Sequence, residues 1–227
     1  MERKGLLKKA NEAKVKPLAA GPGKLSGISN KVFDIIKLIL GICLLPFVYS
    51  STVAFLNQFS DISALAQNAF WAGVISFLLV YLFIWELELV YNSSHKLLEI
   101  IFSFFQPLVK VAPYLLPIYG IVLFILYLLL ALFIKSDWLI QCVMFLFGFT
   151  TVLHLVFSAK AIRSKKGDIL KSNYIFGFSF IYIVNLGLIA FFLNVIFKEF
   201  SFVDFFNSAY FIASDIFYAV FHQLFAV

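Results

Sequence analysis

Apolar residues run along this chain in blocks of about twenty, separated by short polar stretches, and the blocks lack the two-residue alternation of a half-buried strand. A helix needs about 20 apolar residues to cross the roughly 30 Å of bilayer hydrocarbon. In hydrocarbon every backbone N–H and C=O must be paired within the protein, which leaves helices or a closed barrel. Barrel strands would alternate in runs of about ten residues. The pattern therefore predicts an all-α fold: a polytopic transmembrane helix bundle of five spans plus an amphipathic or sixth C-terminal helix. The five spans fall at about 33–55, 69–91, 111–134, 138–158 and 174–197. A polar loop is expected over 57–68, a tight turn at 135–137, and a bend at Pro117 within the third span.

Two stretches break the pattern. Near 93–106, Leu97, Leu98, Ile101, Phe104 and Phe105 share one helical face while His95, Glu99 and Ser103 share another, which predicts an interfacial helix lying in the membrane plane and ending at Pro107. Residues 202–227 are long enough to cross, yet at about 100° per residue Asp204, Ser208, Asp215, Tyr218 and His222 fall within about 80° of arc. That is a narrow polar seam on an otherwise Phe-, Ile- and Ala-rich helix. It suits either a sixth span with its seam against protein or a helix lying at the outer interface.

Composition agrees: 63% of residues are hydrophobic and 13% charged, against about 25% charged in soluble domains. A soluble fold has no way to hide that much apolar surface. The net charge of +6 belongs to the first 32 residues, where Arg3, Lys4, Lys8, Lys9, Lys14, Lys16, Lys24 and Lys31 outweigh Glu2 and Glu12. This reads as a mobile basic tail, without the early apolar region of a cleavable leader. With that tail in the cytoplasm, the segments 1–32, 92–110 and 159–173 hold fifteen Lys or Arg, and the outer turns hold only Lys135 and Lys198. The bias orients the chain with its N-terminus inside. The tail and the 159–173 loop suit anionic lipid better than nucleic acid. Abundant Phe, Ile, Lys and Asn and the positive-inside bias fit a bacterial cytoplasmic membrane.

Chemistry is sparse. Zinc, nucleophile-elbow and phosphate-loop motifs are absent, His95, His154 and His222 stand in different segments, and Cys43 and Cys142 lie in separate spans as small apolar residues. No catalytic set, cofactor or metal is expected. Ionisable groups inside spans are then the candidates, since charge in hydrocarbon is costly. Glu86 and Glu88 sit near the inner end of the second span, about 160° apart, and Glu86 could pair with Lys37 to lock two spans. Gln141, Asn185 and Asn194 are expected to bond between helices. The Asp204, Ser208, Asp215, Tyr218 and His222 seam is the strongest candidate for an interaction site.

Thirty Phe with few regularly spaced small residues, and no internal repeat, argue against a close-packed transporter. The expected function is a non-catalytic integral-membrane subunit that scaffolds or anchors a larger assembly, its partners being other subunits or copies of itself. A small ion or proton channel or transporter using the intramembrane acids is the first alternative. A membrane enzyme acting on lipid, with His95, Glu99, Glu86 and His154 gathered at the inner interface, is the second.

Overall fold

The computed structural model describes residues 24–83, 92–93, 96, 99–100, 114–134, 136–164 and 174–225. Among them there are six helices and no strand: α1 Lys24–Ser60, α2 Ala64–Phe83, α3 Ile118–Ala131, α4 Asp137–Ser164, α5 Tyr174–Ile196 and α6 Phe202–Phe225. The chain divides into two units, Met1–Ile36 and Lys37–Val227. The second holds every contact discussed below. Four helices are long and apolar enough to span a membrane: Ile35–Ser60, Ala64–Phe83, Asp137–Arg163 and Tyr174–Ile196. The protein is thus an all-α chain with the helices of a multi-pass membrane protein. Large apolar side chains such as Ile39, Leu45, Leu79, Leu82, Leu129 and Leu132 stand exposed around the bundle, as lipid contact requires. The expected interfacial helix near 93–106 falls mostly outside the described residues.

The expected loop at 57–68 is instead a three-residue turn. Its polar residues are caps, since each helix end leaves four backbone groups without an intrahelical partner. The Gln67 amide donates to the carbonyls of Ser60 at 3.1 Å and Ile62 at 2.7 Å, and Ser63 Oγ accepts from the Ala66 N–H. Gln58 reaches further, its Oε1 accepting from the Ser201 N–H at 3.0 Å across the bundle. Helix α4 also outruns the expected span, continuing to Ser164.

The tightest packing joins α2 and α4 at a glycine crossing. A Cβ on Gly73 would fall onto the Phe145 carbonyl oxygen, with the carbonyl carbon at 2.8 Å and the Phe149 nitrogen at 3.0 Å. A Cβ on Gly148 would fall onto the Phe70 oxygen. The two backbones touch, as small residues permit in membrane bundles. Phe77 then meets Phe149 and Tyr81 meets Phe157, so α2 and α4 run parallel.

Helix α3 runs antiparallel to α4. Its approach begins at Tyr114, whose carbonyl lies beside His154 and Ser158, and its far end turns at Leu130–Ile134 into Ser136, which caps α4. The bend expected at Pro117 is a true break: residues 114–115 are helical, 116–117 are not, and α3 starts at Ile118. The break leaves carbonyls without helical donors, and α5 supplies one. Asn185, 1% exposed, donates to the Leu115 carbonyl at 3.1 Å and to Ile181 at 2.8 Å. Replacing Asn185 by leucine strips Leu115 of this donor, an expected loss of about 0.6–2 kcal/mol, readable as a lower midpoint in detergent-denaturation titrations. Asn185→Gln, which keeps the amide but lengthens the arm, should fall between wild type and Asn185→Leu.

Phenylalanine builds the interior as well as the rim. Phe192 stacks on Phe124 at 4.3 Å and on Phe147 at 5.9 Å, tying α5 to α3 and α4. Phe55, Phe59, Phe70, Phe200 and Phe205 form a second aromatic run that joins α1, α2 and α6. Such ring pairs add about 0.5–1.5 kcal/mol beyond area burial. Few small residues at regular spacing were expected, yet Gly73, Gly148 and the stacked rings give a close-packed centre.

Candidate functional site

Helix α6 begins where two side chains meet its first turn. Ser201 Oγ accepts from the Asp204 N–H at 3.1 Å, which is N-capping geometry, and Asn194 Oδ1 accepts from the Phe202 N–H at 2.9 Å. Asn194, expected to bond between helices, links α5 to the first N–H of α6. Asp204 sits in the first turn, where a carboxylate complements the helix dipole. That local role accounts for Asp204.

From there α6 folds back along α1 and α5. Phe202 meets Phe191 at 5.7 Å, and Phe206 reaches the Gly187 position. Phe205 meets Phe55 at 6.5 Å, and three turns on Phe217 meets Phe47 at 5.6 Å. As residue numbers rise on α6 they fall on α1, so the two are antiparallel. Helices α1 and α5 run parallel beneath it, close at Gly41, where a Cβ would lie 3.0 Å from the Phe176 nitrogen, and joined by the Thr52–Tyr182 hydroxyl pair at 2.9 Å.

The inward stripe of α6 is Phe205, Ala209 and Ala213. Small residues at four-residue spacing let it sit in the groove, and the polar seam consequently points the other way. Asp204, Asp215, Tyr218 and His222 are exposed and Ser208 is partly buried. Among the described residues the seam is therefore not a packing face. The Asp215 carboxylate has no hydrogen-bond or ion-pair partner among the described residues, and Tyr218 and His222 lie ring to ring at 6.0 Å.

Comparison with family models, with curated proteins and with solved structures gives no match for this chain.

The other candidates are less open. Lys37 is partly buried on α1, but Glu86 and Glu88 lie outside the described residues, as does His95. His154 is 4% exposed, and its Nε2 is 3.1 Å from the Tyr114 carbonyl. A carbonyl can only accept, so this nitrogen carries the proton. Ser158 Oγ donates to the same carbonyl at 3.3 Å. The pair serves the backbone ahead of the α3 break, and neither group opens onto a substrate. No group of three metal-binding side chains occurs among the described residues. Gln141 lines a shallow outward recess of about 360 Å³ on α4 with Trp138, Cys142, Phe145 and Leu146, and among the described residues it makes no interhelical bond of the kind expected. Sequence reasoning missed the Gly73–Gly148 crossing. Ala69 and Gly73, four apart on α2, were its available signal.

Proposed function

We propose that this chain is a non-catalytic integral-membrane subunit that crosses a bacterial cytoplasmic membrane six times and scaffolds or anchors a larger assembly. Four crossings correspond to the long apolar helices. The parallel course of α2 and α4 calls for one return between them, and the antiparallel 114–134 segment supplies it. Helix α6, antiparallel to α1 through Phe55–Phe205 and Phe47–Phe217, makes the sixth. The positive-inside bias then puts the basic tail, the 159–173 loop and the end of α6 in the cytoplasm, with anionic lipid as the first partner of the basic segments.

The observation that carries the reading is the outward seam. On a crossing helix, an ionised Asp215 facing hydrocarbon costs about 2.5–3.5 kcal/mol on insertion scales. Covering it with protein removes most of that cost, which supports a subunit over a solitary bundle. The polar groups sealed in the interior, Asn185, His154 and Ser158, bond to backbone carbonyls. They favour a structural role over a conduction path.

Mass measurement of the full chain in mild detergent tests the reading. The expected result is a particle larger than one 25.8 kDa chain plus its detergent. A strictly monomeric particle with no co-purifying polypeptide would overturn it.

A further inference from the structure

The seam has a spacing that the assembly reading does not require. Asp204, Ser208, Phe211, Asp215, Tyr218 and His222 follow one another at intervals of four, three, four, three and four residues. That is the repeat by which one helix presents a row of side chains to a single facing helix, at the shallow crossing angle common in membrane bundles. Phe211, 65% exposed, is the apolar member of the row, and Tyr218 is 73% exposed. Ser208 within the row and Ser214 and Ala219 beside it are small, so a second backbone can come close.

Which helix docks there is decided by charge. Asp204 sits in the first turn, where its carboxylate complements the helix dipole. Asp215, three turns deeper, has no partner among the described residues. A second copy of this chain does not supply one. Copies inserted in the same sense and related by a two-fold axis along the membrane normal bring equal depths together, so Asp215 would face Asp215. A copy docked by another face fares no better, because residues 38–83, 114–134, 138–159, 174–197 and 202–227 contain no Lys or Arg. Nothing at the depth of Asp215 on any described spanning helix is cationic.

We propose that the outward seam of α6 receives a transmembrane helix of a different polypeptide, which brings a Lys or Arg to the depth of Asp215. This rests on the six-crossing subunit reading and names the partner's chemistry. A carboxylate and an ammonium or guanidinium each carry an insertion cost alone, and pairing in a low-dielectric contact relieves both. Tyr218 and His222, one and two turns on, offer hydroxyl and imidazole groups to the same helix.

The test places a photo-crosslinking residue at Phe211 or Tyr218 of the tagged full chain, in its native membrane, and identifies the crosslinked product by mass spectrometry. The expected product joins this chain to one other polypeptide whose crosslinked span carries Lys or Arg. Asp215→Asn, nearly isosteric, should lower retention of that polypeptide in mild detergent about tenfold or more, and Asp215→Glu should keep most of it. Asp137→Asn, an exposed acid at the start of α4, should leave retention unchanged. Asp215→Lys combined with an acid in place of the partner's basic residue should restore it. Crosslinks only to a second copy, or a partner retained equally in wild type and Asp215→Asn, would overturn this proposal and leave the subunit reading standing. No crosslink and no co-purifying chain would overturn both.

Discussion

Replacing Gly73 by leucine is expected to leave little folded protein in the membrane. The α2 and α4 backbones meet at this position, and even a methyl group would fall onto the Phe145 carbonyl oxygen. Neither backbone can yield locally, because each is held by its own helical hydrogen bonds. The helices must separate along their length, and the Phe77–Phe149 and Tyr81–Phe157 contacts go with them. Overpacking costs about 1–3 kcal/mol in ordinary cores; Gly73→Ala should lie near the top of that range and Gly73→Leu beyond it. Since total stabilities run to about 5–15 kcal/mol, the leucine variant consumes much of the margin. Gly148→Ala opposes the same contact from the other side, so Gly73→Ala with Gly148→Ala should cost less than the two effects added. Detergent-resistant monodisperse yield and thermal midpoint measure all three. A Gly73→Leu protein with wild-type yield and midpoint would show that the helices do not touch there.

The second large effect is expected at Phe205, which is 2% exposed and seats α6 against Phe55. In a water-soluble core Phe→Ala costs about 3–5 kcal/mol. In a bilayer the transfer part shrinks, because lipid also solvates a detached helix, and roughly half should remain as lost packing. That is enough to loosen α6 selectively, since the α2–α4 crossing does not involve it. A short bifunctional thiol reagent bridging Phe47→Cys and Phe217→Cys reports the docking, in a chain freed of Cys43 and Cys142. Phe205→Ala should lower that bridge several-fold while Gly73 and its neighbours stay packed. Phe211→Ala, on the outward face, should leave the bridge intact.

Much of the helical pattern was legible because length and apolarity alone mark a crossing helix. The regions that became α1, α2, α4 and α5 declare themselves as blocks of twenty. The ends were less legible: Gln58, Ser63 and Gln67 look like loop residues, and their role as caps emerges only when the helix ends and Ser201 stand beside them. The seam of α6 was legible as a stripe, from residue spacing. Its direction was not, because the inward face is chosen by the groove between α1 and α5, and Ala209 and Ala213 fit that groove where Asp215 and Tyr218 do not. Asn185 was legible as a polar group needing a partner. That its partner is the carbonyl freed by the Pro117 break required two distant segments to be set side by side.

Sided labelling of the far end of α6 tests most directly whether this helix crosses the membrane with its seam outward. In the chain lacking Cys43 and Cys142, single cysteines replace Gln223 near the end of α6, Ser136 in the α3–α4 turn, and Lys166 in the basic 159–173 segment. A membrane-impermeant maleimide is applied to intact cells and to inverted vesicles. Gln223→Cys is expected to react from the cytoplasmic side together with Lys166→Cys, and Ser136→Cys from the opposite side. Labelling of Gln223→Cys from the same side as Ser136→Cys would contradict the crossing.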